Sequence, residues 1–136
     1  MALAGALAAA GQWEEARAVV EAIADPEKRA RALVAMAGAL AAAGQWTDAR
    51  QSAEAIADPS WRAWALWAVA GALAQARRWD DARAVAETIA DPKERAGALG
   101  AVAGALAQAG RWDDARAVAE TIADPKERAE IGRAHV

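Results

Sequence analysis

The chain has 136 residues, no cysteine, a net charge of −3 and tryptophan as its only aromatic residue. These numbers exclude a disulfide framework, a cysteine nucleophile and a thiolate metal site, and interspersed charges form no basic footprint for a polyanion. The apolar runs are too short for a transmembrane helix, and the first residues lack the basic start of a secretory signal, so we expect a cytoplasmic protein. Alanine, the best helix former, supplies 46 residues, which predicts an all-α fold.

A repeat of 33 residues organises the chain. It is marked by the tryptophans Trp13, Trp46, Trp79 and Trp112 and by the pairs Asp25-Pro26, Asp58-Pro59, Asp91-Pro92 and Asp124-Pro125. Residues 79–96 recur unchanged at 112–129. A period of this size indicates stacked supersecondary units, and we expect one array over residues 1–129, with a helix pair closing at each Asp-Pro pair.

Each repeat is predicted to contain a long and a short helix. An Asp-Pro pair is typical of a helix start, with aspartate as N-cap and proline at the first helical position. After Pro26, apolar residues spaced by three and four predict a helix to about Ala43, which Gly44 then terminates. The short helix is expected from Trp46 to a point before Asp58, and the repeated tryptophans and prolines are interpreted as structural.

One glycine recurs inside the predicted long helices, at Gly5, Gly38, Gly71 and Gly104. Each costs about 1 kcal/mol relative to alanine in a helix interior. Their strict recurrence predicts that helix backbones approach closely at these positions.

The pattern resembles the tetratricopeptide repeat, whose unit is two antiparallel helices in about 34 residues. The residues that match the family's helix, turn and closing positions are Leu33, Met36, Ala37, Leu40, Gly44, Trp46, Ala49 and Pro59. The resemblance implies a right-handed α-solenoid of four helix-turn-helix units with a partial ninth helix. It also implies a protein that binds peptides on the concave face lined by the first helix of each unit, and not an enzyme.

Two positions of the long helix change radically between copies, whereas core, cap and turn positions barely change. The first carries Arg31, Trp64 or Gly97, and the second carries Val34, Trp67 or Gly100. They lie one helical turn apart and therefore share a face. Changes from arginine to tryptophan to glycine are too large for a packed core. We hypothesise a recognition surface with residues chosen per unit; drift or local repacking is the alternative.

Trp61, Trp64 and Trp67 form one aromatic strip on their helix, because residues three apart are neighbours on a helix surface. Three interpretations are open. The strip fills space between helices opposite Gly97 and Gly100, it forms the floor of an apolar binding groove, or it pairs with another copy of the chain. Tryptophan is a favoured residue at the centre of binding interfaces.

Arg77 replaces the turn glycine present at Gly11, Gly44 and Gly110 and forms a basic doublet with Arg78. A slightly strained or extended helix end is expected there. A contact with a phosphate or a carboxylate is the alternative interpretation.

No catalytic, cofactor or metal site is expected. The single histidine, His135, has no acid–base partner or further metal ligands near it in sequence, and the hydroxyl residues lack a histidine or lysine at a useful helical spacing. The glycines form no phosphate-binding loop.

Both ends interrupt the repeat. Residues 1–7 align with residues 34–40, and residues 130–136 match no copy. The tail resembles the translation of a short sequencing adaptor, so we expect it to be non-native and the chain to be a fragment of a longer bacterial array read from environmental DNA. Terminal units cut in this way would expose apolar faces, which favours head-to-tail stacking.

The sequence therefore predicts a non-catalytic scaffold that binds a peptide or protein segment along its inner face, without a membrane or a cofactor. A self-assembling structural module is the first alternative. Single-stranded RNA binding, as in other helical repeats that contact bases with variable inner-face residues, is the second, and the net negative charge argues against it.

Overall fold

In a computed structural model, Leu7 and residues 10–122 are described, and they form seven α-helices and no strand. The helices are α1 (Trp13–Glu21), α2 (Pro26–Ala42), α3 (Trp46–Glu54), α4 (Pro59–Gln75), α5 (Trp79–Glu87), α6 (Pro92–Gln108) and α7 (Trp112–Glu120). Helices of nine residues thus alternate with helices of 17. The all-α prediction is confirmed, and α2 ends one residue before the predicted Ala43. The pair Asp124-Pro125 and the tail 130–136 lie outside the described residues.

Each long helix begins at the predicted Asp-Pro pair. The aspartate carboxylate accepts a hydrogen bond from a backbone N–H of the first turn: Asp25 from Lys28 at 3.2 Å, Asp58 from Ser60 at 2.8 Å and Asp91 from Lys93 at 3.0 Å. Proline follows the cap, where its missing N–H costs nothing because a helix leaves its first N–H groups unpaired. The two residues of the Asp-Pro pair therefore define each start without help from distant parts of the chain.

A residue in the left-handed backbone region follows each long helix. Gly44 has φ 79° after α2 and Gly110 has φ 78° after α6, as expected of glycines that terminate a helix. After α4, Arg77 adopts the same conformation with φ 64°. For a residue with a Cβ this conformation costs about 1–2 kcal/mol. The expected strain at this helix end is confirmed, whereas α4 is not extended, because it ends at Gln75.

A repeated arginine, which the sequence analysis did not single out, joins each short helix to the next long one. Its guanidinium donates to the backbone carbonyl of the isoleucine that follows the short helix: Arg29 to Ile23 at 2.8 Å, Arg62 to Ile56 at 3.0 Å and Arg95 to Ile89 at 2.9 Å. Carbonyl groups at a helix C-terminus lack partners within the helix, and positive charge is favourable beside them. The arginine provides both the hydrogen bond and the charge.

The chain divides into two compact units, Met1–Val69 and Ala70–Val136, and the boundary falls inside α4. In the first unit α2 packs against α1 and α3, and in the second unit α6 packs against α5 and α7. Apolar residues spaced by three and four on α2 are buried, as are two alanines of α3: Leu33, Met36, Ala37, Leu40, Ala49 and Ala53. None of the described helices is long and apolar enough to cross a lipid bilayer.

The glycines inside the long helices do not mark close approach of backbones, and that prediction was wrong. A Cβ atom built at Gly38, Gly71 or Gly104 would have no heavy atom within 4 Å outside its own helix backbone and its chain neighbours. Space around these positions is open, so a larger residue would fit. Gly5, the fourth member of the series, lies outside the described residues.

Candidate binding surface

The tryptophan strip, defined as Trp61, Trp64 and Trp67, lies on the first half of α4. The side chain of Trp64 is 61% exposed and that of Trp67 is 38% exposed, whereas Trp61 is half-buried. Tryptophan is normally among the most buried residues on average. The interpretation of the strip as inter-helix core is therefore wrong for Trp64, which places most of its surface in water.

Two of the three rings are held in a stack. The Trp61 and Trp64 rings are parallel to within 1°, with centroids 5.4 Å apart. The guanidinium of Arg31, on α2, lies 5.8 Å from the Trp61 ring centroid, within the range of a cation–π contact. Arg31 in turn forms an ion pair with Glu27 at 3.0 Å. These contacts restrict the orientation of both rings, and one face of Trp64 is turned away from the stack.

The structure brings together three of the residues that the sequence analysis proposed, Arg31, Trp61 and Trp64. Val34 follows Arg31 by one turn on α2 and is half-buried, and Trp67 follows Trp64 by one turn on α4. Gly97 and Gly100 belong to α6 in the second unit, where both are half-buried. Having no side chain, the two glycines present only backbone at these positions.

The surface around the strip carries almost no net charge. Arg62 is the single charged residue of α4; its guanidinium keeps its positive charge and donates a hydrogen bond to the carbonyl of Ile56, and Asp58 before the helix carries the opposite charge. The carboxylate of Asp58 accepts hydrogen bonds from the first turn of α4, at 2.8 and 3.1 Å. Arg31 and Glu27 neutralise each other at the edge of the strip. The strip is thus an uncharged aromatic surface on a chain of which 26% is charged.

A groove beside Trp61 was not predicted from the sequence. It has a volume of about 310 Å³, and its walls include Pro26, Ala30 and Leu33 of α2, Ile56 and the ring of Trp61. The groove arises because the loop after α3 turns back past the start of α2, a juxtaposition that no local sequence pattern reveals. Glu27, Arg29 and Asp58 also line it, so its walls are part apolar and part charged.

The repeated tryptophans occupy the first position of each short helix. Trp13, Trp46 and Trp79 are half-buried, and Trp112 is 48% exposed. The guanidinium of Arg111, in the next repeat, lies 5.9 Å from the Trp79 ring centroid. The fourth repeated proline, Pro125, lies outside the described residues.

The doublet of Arg77 and Arg78 borders a cavity of about 410 Å³ in the second unit. Acidic side chains share this cavity with the arginines: Arg78 pairs with Asp81 at 2.8 Å, and Arg111 pairs with Asp114 at 2.7 Å. The surroundings are therefore of mixed charge, and the contact with a phosphate or carboxylate remains a prediction.

Within residues 10–122 and Leu7, no group of three or more histidine, aspartate and glutamate side chains is arranged to hold a metal ion. His135 lies outside this part of the chain. In comparisons with known proteins, no protein-family model, no curated protein and no solved structure matches the chain.

Proposed function

We propose that the chain is a non-catalytic scaffold, similar in architecture to tetratricopeptide-repeat proteins, that binds a peptide or protein segment on the tryptophan strip. Its helix pairs would stack as a right-handed α-solenoid whose long helices line the inner face. The proposal is supported by the alternation of 17-residue and nine-residue helices and by the packing of each described long helix on its short neighbours. Arg31 and Val34 would contribute to the same surface from α2, and Gly97 and Gly100 would offer backbone from α6.

The exposure of Trp64 is the observation that carries this proposal. A tryptophan side chain offers about 150–250 Å² of contact area, so covering its exposed 61% would remove on the order of 100 Å² from water. At about 25 cal/mol per Å², this burial is worth about 2.5 kcal/mol. Free energy of that size at one side chain is typical of the residues that dominate protein interfaces.

Selection of peptides from a random display library tests the proposal. We expect peptides enriched on the wild-type chain to lose at least 30-fold in affinity for the double variant Trp64→Ala with Trp67→Ala, since each ring should contribute more than 1 kcal/mol. Trp112→Ala provides a matched control, because Trp112 is also an exposed tryptophan but lies on α7. Peptides that bind the double variant as tightly as they bind the wild type would contradict the proposal. A library that yields no enriched peptide would contradict it as well.

Self-association through the same rings is the alternative function, and the exposed apolar area of the rings favours it. Molar mass from light scattering, measured across a wide concentration range with tryptophan emission in parallel, separates the two. A constant monomer mass with red-shifted emission supports a free binding surface. If the molar mass rises with concentration and the emission shifts to the blue, and the double variant abolishes both changes, the rings mediate self-assembly. That result would favour self-assembly over peptide binding as the function of the strip.

A further inference from the structure

A second concave site, the Ser52 cleft, lies between α1, α2 and α3 in the first unit and has a volume of about 250 Å³. The buried members of its lining are Val20, Leu33, Met36 and Ser52. The charged members are exposed or half-buried: Arg17, Glu21 and Arg29. None of its nine lining residues belongs to the tryptophan strip. The interior of the cleft is therefore apolar apart from one serine, and its charges lie at the rim.

Among the described residues, Ser52 is the single polar residue that is buried. It is 6% exposed, and its hydroxyl forms no hydrogen bond with any described residue. The hydroxyl on the equivalent helix α5 is bonded within its own helix, because Thr88 Oγ donates to the carbonyl of Val85 at 2.6 Å. A buried hydroxyl without a partner destabilises a fold. A water molecule buried beside it would need about two to four polar partners, and the buried part of the lining offers only Ser52.

The lining of the Ser52 cleft departs from the other repeats. In both later repeats, the five positions that differ carry alanine, valine, alanine, valine and threonine in place of Val20, Met36, Gln51, Ser52 and Ala55. The valines at the serine position, Val85 and Val118, are each 3% exposed. Helices α5 and α7 thus pack with valine at this position, so folding of the short helix does not require a hydroxyl. A residue that breaks a packing rule without a compensating contact indicates a functional site.

The dimensions and chemistry of the cleft define a class of ligand. An apolar cavity of about 150 Å³ holds benzene, and drug-sized molecules occupy about 300 Å³ or more, so the Ser52 cleft suits one ring with a short substituent. The thioether of Met36 makes favourable contacts with aromatic rings. The serine hydroxyl both donates and accepts, so it can pair with a hydroxyl or a carbonyl group. A charged group in the buried part would lose its hydration without gaining an ion partner.

We propose that the Ser52 cleft binds a small uncharged molecule with one ring and one hydroxyl or carbonyl group. The polar group of the ligand forms a hydrogen bond with Ser52 Oγ, and the ring packs against Val20, Leu33 and Met36. This site is additional to the peptide-binding surface of the proposed function and does not depend on it. Benzyl alcohol has the required chemistry and is the probe, toluene is its analogue without the hydroxyl, and benzoate is its charged analogue.

Labelling with [¹³C-methyl]methionine gives a readout inside the cleft, because the chain has two methionines, Met1 and Met36. Titration of the full chain with benzyl alcohol should shift the Met36 methyl signal saturably, with a dissociation constant of about 0.1–10 mM. Benzoate should bind at least threefold more weakly. A Met36 signal that does not respond to benzyl alcohol would overturn the inference, as would tighter binding of benzoate.

Ser52→Ala isolates the contribution of the hydroxyl. Toluene enters apolar sites more readily than benzyl alcohol because it has less hydration to lose, so the informative quantity is the ratio of the two affinities. The preference for benzyl alcohol relative to toluene should fall at least threefold in Ser52→Ala, since the alcohol alone loses a hydrogen bond. An unchanged ratio would overturn the inference.

Ser52→Val gives α3 the residue of α5 and α7 and separates a role in binding from a role in folding. It should lower the affinity for benzyl alcohol at least tenfold, because it fills the cleft, and raise the urea midpoint of unfolding, because it removes the unpaired hydroxyl. The matched control Val85→Ser should lower the midpoint and leave benzyl alcohol binding unchanged. A lower midpoint for Ser52→Val would show that the serine stabilises the fold and would overturn the inference.

The tryptophan strip provides the control for the location of binding. Trp64→Ala with Trp67→Ala alters α4 and no lining residue of the Ser52 cleft, so this variant should retain the full Met36 shift with benzyl alcohol. Loss of the shift in this variant would place the ligand on the strip and overturn the inference. Peptide selection on the strip has no bearing on the Met36 signal, so the proposed function and this inference fail independently.

Discussion

Helices α4 and α6 are two versions of the same element. Both have 17 residues, and residues 68–75 of α4 are identical in sequence to residues 101–108 of α6. Their first nine residues differ at four positions, where Ser60, Trp61, Trp64 and Trp67 correspond to Lys93, Glu94, Gly97 and Gly100. Each helix still starts at a capping aspartate and still donates from its arginine to an isoleucine carbonyl.

This difference distinguishes the residues that form the helix from the residues that determine its exposed surface. Because α4 with three tryptophans and α6 with two glycines have the same length and the same start, the backbone does not depend on the rings. The core residues Leu66 and Leu99, which the two helices share, are buried to the same degree. The strip is therefore an addition to a common framework, which supports the view that it serves binding and not folding.

Truncating the core in the identical halves should have the largest effect on stability. Leu73→Ala and Leu106→Ala remove equivalent side chains, each 1% exposed, and each should lower the free energy of unfolding by about 2–5 kcal/mol. Urea denaturation followed by circular dichroism measures both. A cost for one variant that is less than half the other would show that the two helices do not share a common framework.

Removing the arginine that joins consecutive helices should have the next largest effect. Arg62→Ala and Arg95→Ala each leave an isoleucine carbonyl without its charged donor, so each should lower the free energy of unfolding by about 1–3 kcal/mol. Arg50→Ala is the control, because Arg50 forms only an exposed ion pair with Glu54 at 3.3 Å, and should change stability by a few tenths of a kcal/mol. Equal effects at all three positions would contradict the role of the carbonyl contact.

Exchanging Arg77, which follows α4, for glycine and Gly110, which follows α6, for arginine should shift the free energy of unfolding in opposite directions. Arg77→Gly relieves a left-handed arginine and should raise the free energy of unfolding by about 1 kcal/mol. Gly110→Arg introduces the same strain after α6 and should lower it by a similar amount. Thermal and urea unfolding of both variants check the signs, and destabilisation by Arg77→Gly would indicate that the arginine side chain stabilises its turn.

The glycines inside the identical halves should give the smallest effect. Gly71→Ala and Gly104→Ala place a methyl group in open space and improve helix propensity, so each should raise the free energy of unfolding by about 0.5–1 kcal/mol. The expected gain is the same in α4 and α6. Destabilisation by either alanine would restore the interpretation of close backbone approach, which the open space around these glycines contradicts.

The position of the strip could be predicted from the sequence, but its surroundings could not. Three tryptophans at a spacing of three residues on a predicted helix must share part of the helix surface. Whether they face water or a neighbouring helix depends on packing between elements, and the sequence left both open. The cation–π contact of Arg31 and the groove beside Trp61 join residues of different helices, so no local pattern indicated them.

The sequence by itself determined the helices and their ends, because the responsible interactions act over a few residues. Aspartate caps the first turn, proline suits the first position, and glycine tolerates the left-handed residue that follows. Only the tertiary structure decided the exposure of Trp64, the bond from Arg62 to Ile56 and the open space at Gly71. A recurring glycine can indicate either close packing or free space, and a tryptophan can lie either in the core or on the surface. Which of these occurs depends on neighbours that are distant in sequence.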